Sequence, residues 1–133
     1  REAPGGFEKQ VMDARSMDFP SEVFDAVTAF YSFMYMERES HSTVAAEAFR
    51  VLRPGGKFVL WDAQIRTAAP FLAELDIDAN GQKVHTTYGV YKKNAEQNTD
   101  WFQAVFCSVG FALEHSMARD GQIKQIWRKP KAV

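Results

Sequence analysis

Glu47-Ala48-Phe49-Arg50-Val51-Leu52-Arg53-Pro54-Gly55-Gly56-Lys57-Phe58-Val59-Leu60-Trp61-Asp62 joins the end of one regular element to the start of another. Val44, Ala45, Ala48, Phe49 and Leu52 recur at three- and four-residue steps, which gives a helix one apolar face. Glu47, Arg50 and Arg53 mark its wet side, and Ser40 and Ser42 are its candidate N-caps. Arg53 suits the negative helix end, and Pro54-Gly55-Gly56 stops the helix and reverses the chain. Residues 57–62 then form a nearly continuous apolar strand, expected to be covered on both faces.

Working upstream, Phe24-Asp25-Ala26-Val27-Thr28-Ala29-Phe30-Tyr31 is rich in β-branched and aromatic residues and is expected as a buried strand. Phe7, Val11 and Met12 lead into Asp13, which suits a short strand over 7–13 ending in a loop. A strand, a helix and a strand joined by short turns make the unit of a parallel sheet, so the class is α/β.

Downstream, residues 63–100 show weak periodicity, with no clear strand until about Val84 to Val90, and are expected to form a long crossover with helical pieces, a candidate substrate lid. Asp100 is the expected cap of a helix through Trp101, Phe102, Val105, Phe106 and Val109, closed by Gly110. Two strand-like runs, 111–119 and 122–128, flank Asp120-Gly121, whose tolerance of positive φ favours a two-residue hairpin turn.

The 133 residues suffice for a single domain, and 46% hydrophobic with 25% charged residues is a globular balance. Sixteen basic and 17 acidic residues leave a net charge of -1, so no field for a nucleic acid is expected. Lys124, Arg128, Lys129 and Lys131 form the one basic cluster, read as a solvated strand and tail. Cys107 has no second cysteine to pair with and is expected as a small core-facing hydrophobe. No apolar run suits a membrane span or signal peptide, which points to the cytoplasm. The chain begins at Arg1, not methionine, which suggests processing or a longer parent.

The ordered motifs Asp13-Ala14, Asp18-Phe19-Pro20, Phe24-Asp25-Ala26-Val27 and Glu47 to Leu60 resemble the second half of class I S-adenosylmethionine-dependent methyltransferases of the UbiE-like, type 11 kind. The helix, Gly-Phe and hairpin at 101–128 fall where that family has them. The resemblance implies a Rossmann-like sheet of strand order 3-2-1-4-5-7-6, mostly parallel, with the C-terminal hairpin supplying the antiparallel strand. Its first two strands, which carry a glycine-rich turn and a ribose-binding acid, have no counterpart here. Pro4-Gly5-Gly6 precedes the first expected strand and is better taken as a loop.

By the same resemblance the cofactor is S-adenosylmethionine, with Asp13 accepting from the adenine amine and the Ala14 amide donating to the adjacent ring nitrogen. Phe30 and Tyr31 would lie beside the methionine moiety, and Tyr35, Met34, Met36 and Trp61 on the acceptor side, with Asp62, Tyr88, Tyr91 and Trp101 near it. Methyl transfer is an in-line displacement that needs alignment more than a base. No catalytic residue is assigned: His41, His85 and His115 are widely separated, lack metal-ligand spacing and are read as surface or structural. An Asn/Asp-Pro-Pro-aromatic run is absent after Ser32, which argues against base or glutamine amides as acceptors.

Two functions follow. The parent protein is expected to methylate a small-molecule acceptor. The chain as it stands is alternatively a non-catalytic methyltransferase-like module, associating as a homodimer through the edge left by its missing strands.

Overall fold

The computed structural model describes residues 8–67, 71–90 and 94–131. Phe7, the Pro4-Gly5-Gly6 loop and Tyr91 lie outside the described residues, as does the Tyr88 side chain. Strand β1 (Phe24–Phe30) leads through a 3-10 turn (Phe33–Tyr35) into helix α1 (Arg38–Val51) and strand β2 (Leu52–Ala63). A hairpin of β3 (Phe71–Ala79) and β4 (Gln82–Val90) follows, then helix α2 (Thr99–Val109) and the hairpin β5 (Ala112–Arg119) and β6 (Gln122–Arg128).

Four strands form the main sheet in the order β1-β2-β6-β5. β1 runs parallel to β2, and β6 is antiparallel to both β2 and β5. Strand β6 is therefore the reversed strand expected of the C-terminal hairpin, inserted between β2 and β5. The turn that sets it has φ of 52° at Asp120 and 76° at Gly121, the positive values Asp-Gly tolerates.

Both helices pack on one face of this sheet. Val44, Ala45 and Ala48 of α1 and Phe102, Val105 and Phe106 of α2 share a core with Phe58, Leu60, Ile123 and Trp127. Its aromatic rings meet mostly edge to face, as at Phe33 and Phe58, but Phe106 and Trp127 stack at 5.2 Å and 15°. The expectation that β2 is covered twice is corrected: Phe58, Leu60 and Asp62 are buried, while Lys57 is exposed and Val59 and Trp61 are half-buried. Alternation on the pleat puts the second set on the face opposite the helices.

Other expectations also change. Residues 8–13 form no strand, since a strand needs a ladder partner and, among the described residues, β1 pairs only with β2. Helix α1 starts at Arg38 with Glu37 as its N-cap and no side-chain cap, so Ser40 and Ser42 lie inside it. Asn98, not Asp100, caps α2, its Oδ1 accepting from the Trp101 amide at 2.8 Å. Cys107 is exposed, on the wet side of α2. The region expected to carry helical pieces is the β3–β4 hairpin, turned by Asn80 and Gly81 at φ 54° and 77°.

The basic tail is not uniformly solvated. Lys129 is buried, and its ammonium donates to the carbonyls of Phe49 and Leu52 at 2.7 and 2.8 Å, closing the end of α1. Gly56 permits the approach of strand and helix end, because a Cβ there would sit 2.8 Å from the Arg53 carbonyl oxygen and 3.0 Å from that of Asp25. Helix α1 ends at Val51, so Arg53 and Pro54-Gly55-Gly56, expected in and just after its last turn, lie within β2, where Gly55 takes φ 85°.

Candidate functional site

Asp13 and Ala14 line a cavity of about 340 Å³ whose other walls are Met12, Arg15, Met36, Glu37, Ser40 and Val44. It lies between the 12–15 turn and the entry and first turns of α1. The turn holding Asp13 is locally built: the Ser16 amide donates to the Asp13 carbonyl at 3.0 Å, and the Arg15 amide to its Oδ1 at 2.9 Å.

The Asp13 carboxylate is already engaged. Arg15 donates from Nε to both oxygens at 3.1 Å and from a terminal nitrogen to Oδ2 at 2.7 Å. The Arg15 side chain, helped by its own backbone amide, holds this carboxyl down at about 2, so it is ionised and acceptor-only at neutral pH.

Phe30 and Tyr31 do not reach this cavity wall. The Phe30 ring is 68% exposed and touches Tyr31 and Trp61 edge to face, at 4.7 and 6.0 Å. Tyr31 has φ 50°, a left-handed conformation that is strained for a bulky residue, while its amide donates to the Trp61 carbonyl at 2.7 Å. Burial, and secondarily the nearby Asp62 charge, push the Tyr31 phenol up, so it stays protonated. Tyr35 is exposed on the 3-10 turn, and Met34 is core, packed with Ala63, Ile65, Val90 and Ala95. Trp61 borders a separate hollow with Met117, Arg119 and Lys124. Of the acceptor-side candidates only Met36 shares the Asp13 cavity.

Asp62 holds the strained turn in place. Its Oδ2 accepts from the Phe33 amide at 2.9 Å, and Oδ1 from Ala63 N at 2.8 Å and Gln97 Nε2 at 2.7 Å. Burial pushes this carboxyl up to about 6, against the pull of those donors and of the Met34 amide. Gln97 also donates to the Ala63 carbonyl and pairs its backbone with Ile65, so the β4–α2 connection is tied to the same point.

The imidazoles divide as structural or surface groups. His41 is fully buried between the Phe33 carbonyl and the Trp101 indole N–H, at 2.8 and 2.9 Å. The indole donates to Nδ1, so Nε2 carries the proton and the ring is neutral. That bond, and the Arg38 guanidinium stacked 3.8 Å from its ring centre, make Trp101 a structural side chain. His85 pairs with Asp76 on the exposed hairpin, and His115 is exposed on β5. Among the described residues no group of three or more His, Cys, Asp or Glu could hold a metal ion. No described helix is long and apolar enough to cross a membrane.

The methyltransferase domain family model matches residues 1–60, the segment that contains Asp13, Ala14 and the whole of β1. Over 62 residues the chain is 39% identical to the ubiquinone/menaquinone biosynthesis C-methyltransferase UbiE of Desulfotalea psychrophila. This stretch is similar to UbiE, and the chain has a methyltransferase-like α/β fold. That match spans 47% of this chain and 24% of the relative. A phosphatidylethanolamine N-methyltransferase of Cereibacter sphaeroides is 36% identical over 66 residues, 50% of this chain and 32% of that one. The matched stretch is thus about a quarter to a third of each relative's length. A SAM-dependent methyltransferase structure from Methanosarcina mazei superposes with TM-score 0.68 at 16% identity, over 98% of this chain and 74% of that one.

The order β1-β2-β6-β5 reproduces the 4-5-7-6 half of the expected sheet. Two elements of the site were hidden from sequence reasoning. The Asp62–Gln97 pair is 35 residues apart, and the grip of Glu47 and Arg50 on residues 17–21 spans about 30. The Arg15–Asp13 pair, by contrast, is two residues apart and had a local signal.

Proposed function

We propose that this chain supplies the adenine-side wall and the C-terminal half of the sheet in an S-adenosylmethionine-dependent methyltransferase acting on a small organic acceptor. The observation that carries this is the Asp13-Ala14 turn in the wall of the cavity beside the start of α1. An ionised carboxylate followed by a backbone amide matches the donor and acceptor on one edge of adenine, and Met36 and Val44 give that ring apolar walls. The fit covers the adenine end only. The chain contains no Gly-x-Gly-x-Gly run to receive the methionine end.

When bound, the cofactor supplies an electrophilic methyl group. The chain's own part is to place it: Asp13 orients the adenine, and the Phe30–Tyr31 turn, braced by Asp62, borders the path to the acceptor. Tyr35 and Trp61 remain the acceptor-side candidates, and the β3–β4 hairpin is a lid over the same edge. The names of the two relatives point to different acceptors, a quinone precursor and a phospholipid headgroup amine, and both are compatible with an aromatic-lined entrance.

Titration calorimetry with S-adenosylmethionine tests this. Micromolar binding that Asp13→Ala abolishes is the expected result; absent binding by the 133-residue chain favours the second reading, a non-catalytic module. That reading draws on the uncovered β1 edge, which a second copy would extend, and sedimentation would then show a dimer. Arg15→Gln is expected to tighten cofactor binding by a few-fold at most, because it frees a carboxylate from an exposed ion pair of small energy. Unchanged or weaker binding would remove Arg15 as a competitor.

A further inference from the structure

Glu47 and Arg50 stand one turn apart on α1, and neither has a role in the cavity. They nonetheless continue the helix stripe of Ser40 and Val44, which do line it. Both are half-buried, and what they hold is the backbone just beyond the Asp13-Ala14 turn.

The grip is two-sided at Met17. Its amide donates to Glu47 Oε2 at 2.7 Å, and its carbonyl accepts from Arg50 at 3.0 Å. The same guanidinium reaches the Phe19 carbonyl at 2.8 Å and the Ser21 hydroxyl at 3.4 Å. It is itself fixed by two bonds to Glu47, both 2.9 Å. The helix end completes the hold, with the Glu22 amide on the Arg50 carbonyl and the Val23 amide on that of Val51.

We propose that Glu47 and Arg50 are positioning residues that set where the 13–16 turn, and with it the cavity wall, sits against α1. The segment has no sheet partner to hold it: residues 8–13 form no strand, and Val11 is fully exposed. This pair is a polar anchor about 30 residues away in sequence. A guanidinium fork suits the task because it binds two carbonyls and a carboxylate in one plane, which a lysine cannot copy. The functional part of the inference rests on the cofactor reading; the positioning part does not.

The test is amide hydrogen exchange on the full chain for Arg50→Gln, Arg50→Lys and Glu47→Gln, with Arg53→Gln as a control that breaks only the exposed pair with Asp25. Arg50→Gln is expected to lower protection of the Met17 and Ser16 amides about tenfold or more, the factor set by losing hydrogen bonds to charged groups. Phe58 and Leu60 amides in β2 should keep their protection. Arg50→Lys should lie between Gln and wild type, and Arg53→Gln should leave Met17 unchanged. Equal loss of protection across β2, or an unaltered Met17 amide, overturns the positioning role. Binding of S-adenosylhomocysteine is measured alongside. If wild type binds it, Arg50→Gln should weaken binding about tenfold; exchange at Met17 with no binding by wild type would retain the positioning role and reject the cofactor reading.

Discussion

Asp62→Ala is expected to destabilise the chain by about 3–5 kcal/mol, because it strands buried donors whose loss of a partner costs about 1–3 kcal/mol each. The Phe33 amide, the Ala63 amide and Gln97 Nε2 all point at this carboxylate, and Asp62 itself is fully buried. Denaturant unfolding at pH 7 would show the loss, and a change under about 1 kcal/mol would mean that water or a rearranged turn satisfies these groups. The turn after β1 should suffer first, since its strained Tyr31 conformation relies on neighbouring anchors.

The same residue imposes a pH dependence of defined sign. Its folded value of about 6 lies above the 3.8 of a free aspartate, so the folded state binds the proton more tightly than the unfolded one. The proton-linked part of its contribution is therefore complete below pH 3.8 and is lost as pH rises through 6, while its hydrogen bonds persist. Between those two values the loss amounts to about 3 kcal/mol. Asp13 acts in the opposite direction: its lowered value gives stability that is present above 3.8 and lost toward pH 2. The two windows do not overlap, but His85, raised by its pair with Asp76, also loses stability as pH rises, so the Asp62 share of the difference between pH 4.5 and 7.5 is the part that Asp62→Asn removes. Asp62→Asn should reduce that difference; an unchanged slope would assign it to another group.

The second large effect is in the core. Trp127→Ala is expected to cost about 3–5 kcal/mol, the range for truncating a large buried aromatic. Trp127 is fully buried on β6, an interior strand of the sheet, and it stacks on Phe106 of α2. Its indole also donates to Gln125 Oε1 at 3.2 Å, and Gln125 in turn donates to Ser116 and to the Thr99 carbonyl. Truncation therefore opens a cavity and frees a buried acceptor together. Loss of the near-ultraviolet circular dichroism band with an earlier denaturation midpoint would show it, and a midpoint unmoved by the change would contradict the core assignment. Together with Asp62→Ala it separates two supports of one fold, the polar knot at the sheet edge and the aromatic centre.

Much of the fold was legible because its signals are local. The apolar steps of α1, the Pro54-Gly55-Gly56 turn and the β2 run lie within a few residues of one another, and each has a simple steric cause. Asp120-Gly121 announced the C-terminal hairpin by tolerance of positive φ. Asn80-Gly81 carries the same signal between alternating residues such as Asp76, Ile77 and Asp78, so the β3–β4 hairpin was also readable, though weak apolar alternation hid it.

By itself the sequence determined the α/β class, most of the main-sheet elements and the likeness of Asp13-Ala14 and Glu47 to Leu60 to methyltransferases, since pattern and turn chemistry act over short spans. The tertiary structure decided which of these residues meet. It left 8–13 without a ladder, put Phe30 in solvent and buried Lys129 at a helix end. It also joined Asp62 to Gln97 and His41 to Trp101, 35 and 60 residues apart. The physical reason is that a buried polar group is satisfied by whatever packing brings to it. No local rule in the chain specifies that partner.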